Sequence, residues 1–156
     1  MYLNKRAWTY DVKRLGFRYH MANLHAALGL AQLSKIARIS ETRRIACRYY
    51  NEKLKHFPLV RVPETDFQGI TPFLYYVRVP EKRRDSFRAH MKEHGVDTGL
   101  HWQPGHWFTL FQDRRRGDLA VTDRVGKQIV SLPLHSSMSI ETLDRVIKGV
   151  RTFCES

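Results

Sequence analysis

The chain has 156 residues, of which 42% are hydrophobic and 12% aromatic, and this composition excludes a disordered protein. Its formal net charge of +12 favours anionic partners such as nucleic acid, anionic lipid or phosphorylated metabolites. No apolar run approaches the length of a bilayer-spanning helix, so we expect no membrane span. Because no apolar leader is visible and the two cysteines show no C-x-x-C spacing, we expect a cytoplasmic protein with reduced thiols.

The first 20 residues are predicted to form an extended arm that turns at Gly16, and helical spacing begins at Ala22. The apolar residues of this helix fall on two stripes, which predicts burial on two sides or against a partner. Gly29 in its middle favours a close approach of another helix or backbone. The stripes consist of Leu24, Ala27, Leu28 and Ala31, and of Leu30, Leu33 and Ala37.

A second helical pattern starts near Ser40 and is ended by Pro58; it is either a separate helix or the first one after a bend. The next segments are predicted as strands at 59–62 and 73–80. An amphipathic helix follows, with Phe87 and Met91 inward and with Gly95 at the C-cap position. On the second helix, the residues predicted to share the inner face are Ile45, Ala46, Tyr49 and Leu54.

The last third of the chain is predicted as a strand at 96–102, a turn at 103–106 and a helix at 118–130. An extended segment then leads to a final helix capped by Ser139. Four residues of this helix are predicted to face the core, namely Leu143, Val146, Ile147 and Val150.

This order predicts an α+β fold, a small α/β sandwich in which a long N-terminal connector helix precedes a short sheet with helices packed on it. We expect residues 1–57 to form the arm and connector helix. Residues 58–156 are expected to form a small C-terminal α/β domain.

Several segments together resemble one protein family. The run G-F-R-Y-H-M-A-N-L-H-A-A-L-G-L-A-Q-L, residues 16–33, is similar to G-Y-N-Y-R-M-T-N-L-Q-A-A-L-G-L-A-Q-L in the DegT/StrS sugar aminotransferases, which use pyridoxal 5'-phosphate (PLP). R-R-I-A-C-R-Y-Y-N-E-K-L, Y-V-R-V, K-E-H-G-V-D-T-G-L-H-W-Q-P-G-H and S-L-P-L-H-S-S-M-S-I-E-T-L-D-R-V-I follow in the family's order. The resemblance is strongest to perosamine-synthase-like members, which act on nucleotide-linked 4-keto-sugars.

The resemblance covers the C-terminal part of such enzymes, which have the fold of type I aminotransferases. It implies transfer of an amino group from glutamate to a nucleotide-linked keto-sugar in cell-surface polysaccharide or deoxysugar biosynthesis. The large PLP-binding domain and its Schiff-base lysine have no counterpart here, so we expect the chain to be inactive alone. The implied partners are a second copy of the chain or a chain that carries the PLP domain.

The resemblance also assigns roles to a basic arm. In the family this loop reaches the neighbouring subunit and helps to hold the PLP phosphate, which would make Arg18 and His20 cofactor-binding residues. The family usually has asparagine at the position of Arg18, although a guanidinium fork also binds phosphate well. The alternative is a solvated basic loop. Asn23 is predicted to cap the helix that follows.

The loop L-H-W-Q-P-G-H resembles the family's segment beside the sugar-nucleotide pocket, which makes His101, Trp102 and His106 candidate substrate contacts. Imidazole can donate or accept a hydrogen bond, and an indole offers an apolar face. Ordinary packing of the turn is the main alternative. A zinc pair is a weaker one, because two histidines without a third ligand make a poor zinc site.

Two other functions stay open from the sequence. The charge and the interleaved aromatic residues would suit a nucleic-acid-binding module, although none of its usual motifs is present. The chain could also be a non-catalytic domain that pairs with a full-length paralogue.

Overall fold

A computed structural model describes residues 14–17, 19–114 and 117–155 of the chain. Contacts divide it into two compact units, Met1–Lys35 and Ile36–Ser156. The described residues form five α-helices and two short strands, so the predicted α+β class is confirmed. No helix in these ranges combines the length and apolar character that crossing a bilayer requires.

The first unit contains helix α1, Asn23–Leu33. None of its residues is buried, so the predicted burial of its two stripes within this chain is wrong, and burial against a partner stays a prediction. Its N-cap residue is Ala22, which makes no side-chain capping bond, and the predicted cap at Asn23 is therefore wrong as well. A turn at Ser34 and Lys35 ends the helix, and the Ser34 hydroxyl donates to the Ala31 carbonyl at 3.0 Å.

The second unit begins with α2, Ile36–Leu54. The remaining elements are β1, Tyr75–Arg78; α3, Arg84–Glu93; α4, Ala120–Gln128; β2, Ile129–Leu132; and α5, Ile140–Glu155. The two strands pair antiparallel, with Tyr75 opposite Leu132 and Arg78 opposite Ile129.

Each edge of this two-stranded sheet is extended by a single bridge rather than by a strand. Arg61 bridges to Arg78 on the β1 side, and Gly99 bridges to Ser131 on the β2 side. The strands predicted at 59–62 and 96–102 are thus reduced to one paired residue each. On the β1 side Pro63 lies two residues after Arg61, and proline has no N–H with which to continue the ladder.

The core lies between the sheet and helices α2, α3 and α5. On α2 the inward residues are Ala46, Cys47, Tyr50 and Leu54, whereas Ile45, predicted to face inward, is exposed. The Tyr50 and Tyr75 rings pack at 4.8 Å in this core. Burial also raises the pKa of the Cys47 thiol to about 12.

The predicted ends of two helices are confirmed. Gly95 follows α3 with a φ of +70°, and the Val96 N–H donates to the Met91 carbonyl at 2.9 Å. Before α5, the Ser139 hydroxyl accepts a bond from the Thr142 N–H at 3.2 Å. The inward residues predicted on both helices are buried: Phe87, Met91, Leu143, Val146, Ile147 and Val150.

The helix predicted at 118–130 ends two residues early. Ile129 and Val130 belong to β2, where they pair with Arg78 and Val77. Both are β-branched, a residue type that is favoured in strands, and they pair with β1 instead of continuing the helix.

Candidate functional site

The loop that follows the Gly99 bridge carries all three residues predicted to contact substrate. Gly99 exchanges backbone hydrogen bonds with Ser131 at 3.0 and 2.8 Å, which fixes the start of the loop to the sheet edge. The His101 imidazole lies over Gly99, where any β-carbon would collide with it. The absence of a side chain at Gly99 therefore makes room for this imidazole.

Trp102 and Phe73 form an exposed aromatic pair. Their ring centroids lie 5.9 Å apart with an interplanar angle of 22°, so the rings are stacked. Trp102 is 65% exposed and Phe73 is 64% exposed. Aromatic rings normally bury most of their surface, and such a pair on the outside of a protein marks a candidate binding surface.

The aromatic pair joins two clefts. Phe73 contributes to a mainly apolar cleft of about 340 Å³ that also includes Pro63, Ile70 and Tyr76. Trp102 contributes to a second apolar cleft of about 320 Å³. The second cleft is completed by Pro104, Val121, Thr122, Val125, Gly126 and Ile129.

Asp123 on α4 anchors the far end of the loop. Its Oδ1 accepts one bond from His106 Nε2 at 2.7 Å and another from the Trp107 indole N–H at 2.6 Å. The His106 side chain is only 16% exposed. The hydrogen bond from His106, followed by that from Trp107, holds the pKa of the Asp123 carboxyl below its ordinary value. This geometry supports the packing alternative for His106 and leaves its predicted substrate contact untested.

Gly126 brings the same loop close to α4. A β-carbon at this position would stand 2.6 Å from Pro104 Cγ and 3.1 Å from Trp107 Cη2. Asp123 and Gly126 were not among the residues predicted from the sequence. The sequence indicated Asp123 only indirectly. An indole N–H that is removed from water needs a hydrogen-bond acceptor, but the sequence does not identify the residue that supplies it.

The two predicted cofactor residues belong to the first unit. His20 is exposed, and Arg18 lies outside the described residues. Their predicted contact with the PLP phosphate is therefore untested.

The described residues do not fit covalent attachment of PLP. Imine exchange requires a desolvated lysine whose amine is held neutral. Every lysine in the described ranges is exposed. These same ranges hold no group of three or more histidine, cysteine or acidic side chains able to bind a metal ion.

Comparison with known proteins places this geometry among aminotransferases. The family model described as the DegT/DnrJ/EryC1/StrS aminotransferase family matches residues 3–151. An aminotransferase, TlmJ from Streptoalloteichus hindustanus, is 25% identical with a TM-score of 0.85, and the match covers 95% of this chain and 40% of that chain. A DegT DnrJ EryC1 StrS aminotransferase from Brucella abortus is 26% identical with a TM-score of 0.80, again over 95% and 40%.

One of the similar structures contains a bound cofactor. NtdA from Bacillus subtilis, solved with PMP, is 24% identical with a TM-score of 0.84, over 96% of this chain and 36% of that chain. At this identity the likeness establishes the fold. The present chain spans about 40% of the length of the solved structures that it matches.

Proposed function

The chain belongs to the DegT/DnrJ/EryC1/StrS aminotransferase family, and from this premise we propose that it forms the smaller domain of a PLP-dependent sugar aminotransferase. The complete enzyme would transfer the amino group of glutamate to a nucleotide-linked keto-sugar, as the perosamine-synthase-like resemblance implies. This chain alone would not catalyse the transfer.

The aromatic pair carries the proposal. Trp102 and Phe73 present a stacked, exposed apolar surface between two clefts. The apolar face of a sugar ring packs on such a surface, while neighbouring polar groups orient its hydroxyls. His101 supplies a polar group beside this surface, since its ring centroid lies 5.3 Å from that of Trp102 in an edge-on arrangement.

Asp123 and Gly126 would act as positioning residues for the loop that carries Trp102. The two bonds to Asp123 hold one end of the loop on α4, and the Gly99 bridge holds the other end on the sheet. A substrate-binding surface works best when its side chains are fixed before the ligand arrives. His106 would then act by holding the loop in position through its hydrogen bond to Asp123, and not by contacting the substrate.

Bound PLP supplies the electron sink for transamination, and in this proposal its reactive lysine belongs to polypeptide other than the described residues. Arg18 and His20 remain our candidates for contacts to the PLP phosphate, since guanidinium and imidazole both suit an anionic ligand. A homodimer or a PLP-domain chain would complete the site. A net charge of +12 suits glutamate, nucleotide diphosphates and PLP, all of them anions. We propose a cytoplasmic location, as expected from the sequence.

The test is a fusion of the full chain behind the PLP-binding part of the Brucella abortus relative. We expect the unfused chain with PLP, glutamate and a nucleotide-linked 4-keto-sugar to give no turnover, and the fusion to give turnover. Borohydride reduction of the fusion should trap PLP on one lysine outside this chain. A fusion that traps PLP in this way yet transfers no amino group would overturn the proposal.

The role of the aromatic pair is tested in the same fusion. Trp102→Ala should raise the KM for the nucleotide-sugar by about tenfold or more and leave the KM for glutamate unchanged. Phe111→Ala is the matched control, because Phe111 is also exposed but lies outside the pair. Equal effects of both substitutions would remove the aromatic pair from the site.

A further inference from the structure

Three arginines meet in a groove that the proposed function does not use. The groove has a volume of about 450 Å³ and is lined by Arg61, Arg78 and Arg124. Gln128 contributes a polar amide to it, and Pro58 and Pro80 contribute apolar surface. We call this the arginine groove.

The backbone forces these arginines together. Arg61 and Arg78 are bridge partners that exchange two backbone hydrogen bonds, both of 2.9 Å. Directly opposed residues of an antiparallel pair project their side chains to the same face, and like charges there are unfavourable. Arg124 and Gln128 are four residues apart on α4, so they lie on one face of that helix.

No carboxylate among the described residues compensates this charge. The side chains of the three arginines make no ion pair or hydrogen bond within that part of the chain. Glu81, which follows Pro80 of the groove, pairs instead with Lys127 at 3.3 Å. Two arginines outside the groove do pair with a carboxylate, since Arg44 and Arg48 both bind Glu41. The arginine groove therefore brings together three guanidinium groups that no carboxylate among the described residues binds.

The arginine groove is separate from the aromatic pair. The sheet order is the Arg61 bridge, β1, β2 and then the Gly99 bridge, so the groove and the loop that carries Trp102 start from opposite edges. Helix α4 contributes different residues to the two places. Arg124 and Gln128 line the groove, whereas the cleft beside Trp102 is lined by Val121, Thr122, Val125 and Gly126.

We propose that the arginine groove binds the diphosphate group of a nucleotide-sized molecule at a site distinct from the sugar-binding surface. Guanidinium groups bind phosphate oxygens through pairs of parallel N–H donors. Three guanidinium groups offer more donors than a single phosphate needs, and they suit two linked phosphates better. The volume lies in the range of small-molecule sites and exceeds what a bare anion fills. Pro58, Leu59 and Pro80 offer the organic part of the ligand an apolar contact.

The test is calorimetric titration of the full chain with inorganic pyrophosphate, with UDP and with inorganic phosphate. Pyrophosphate and UDP should both bind at a single site, and phosphate should bind about tenfold more weakly or worse. Tighter binding of UDP than of pyrophosphate assigns the ligand as a nucleoside diphosphate. Equal binding assigns it as free pyrophosphate, and both results support a diphosphate site. If neither pyrophosphate nor UDP shows saturable binding, the proposal of a diphosphate site is overturned.

The matched variants separate a site from general charge. Arg61→Gln and Arg124→Gln should each weaken pyrophosphate binding about tenfold or more. Arg145→Gln removes the same charge from an exposed position on α5 and should have no effect. All three variants should keep the wild-type circular dichroism spectrum and melting temperature. An equal loss of binding in Arg145→Gln would show that only net charge attracts the anion, and the proposal would fail.

Discussion

Helices α1 and α5 are both rich in apolar residues, and they differ completely in what they bury. Helix α5 buries Leu143, Val146, Ile147, Gly149, Val150 and Phe153, whereas α1 buries none of its residues. The apolar residues of α5 lie on one stripe with polar residues opposite. Those of α1 lie around most of the helix, as in helices that are covered on more than one side. Apolar content alone therefore does not tell which helix stabilises this chain.

The largest expected effect comes from one substitution made in both helices. Leu143→Ala should lower the free energy of unfolding by about 2–5 kcal/mol, since Leu143 is 4% exposed and its removal leaves a cavity. Leu28→Ala should change it by about 0.5 kcal/mol or less, because Leu28 is 60% exposed. Urea denaturation at low protein concentration measures both. If Leu28→Ala lowers the free energy of unfolding nearly as much as Leu143→Ala does, the two helices do not differ in the way described.

A smaller effect is expected from the glycine in the middle of each helix. A β-carbon at Gly149 would stand 3.1 Å from Met91 Sδ in the packed core, whereas one at Gly29 would meet no other group within 4 Å. Gly149→Ala should therefore destabilise the protein by about 1 kcal/mol, because overpacking outweighs the gain in helix propensity.

Gly29→Ala should have the opposite sign. It should stabilise α1 by about 0.5–1 kcal/mol, since alanine loses less backbone entropy than glycine in a helix interior. Hydrogen exchange of the α1 amides measures this directly. If the substitution instead weakens the association of the chain with a partner, Gly29 marks a close helix approach, as its position in the sequence predicted.

The smallest effect concerns a polar contact. Hydrogen bonds from His106 and then from Trp107 hold the pKa of Asp123 below its ordinary value, so this carboxylate is stabilised in the folded state. Its contribution to stability is present above the pKa of the unfolded carboxyl and is lost as the pH falls through the lower folded value. The indole N–H resonance of Trp107 should therefore titrate with a midpoint below the ordinary pKa of an aspartate carboxyl.

Asp123→Asn removes this carboxylate. We expect the indole resonance of Trp107 to lose its acid titration and its protection from exchange to fall about tenfold, while α5 keeps its protection. Asp113→Asn, at an exposed position in the same part of the chain, is the control and should leave the Trp107 resonance unchanged. A midpoint in the wild-type protein at or above the ordinary pKa of an aspartate carboxyl would show that the contact does not form in solution.

Much of the fold could be predicted because its signals are local. The cap at Ser139, the left-handed Gly95 and the inner faces of α3 and α5 depend on residues within one or two turns. The weak points of the prediction were non-local. Whether Arg61 and Gly99 belong to strands or form single bridges depends on how many backbone groups of β1 and β2 they can pair with. The pairing of β2 with β1 also shortened α4.

The candidate site was predictable to a similar degree. The resemblance pointed to His101, Trp102 and His106, and the structure places them on one loop. It did not point to Phe73, which lies far before Trp102 in the sequence and stacks on it. Nor did it point to Asp123, whose two hydrogen bonds cross from α4 to the loop. Such contacts join residues that no short motif connects.

By itself, the sequence determined the family, the α+β class and the ends of the best-formed helices, because these follow from motifs, periodicity and capping groups that neighbouring residues define. Only the tertiary structure decided which apolar helix is buried, which aromatic rings meet at the surface and where three arginines face one another. Those outcomes depend on the pairing of distant segments, and the energy of such a pair exists only once the chain has brought both partners into contact.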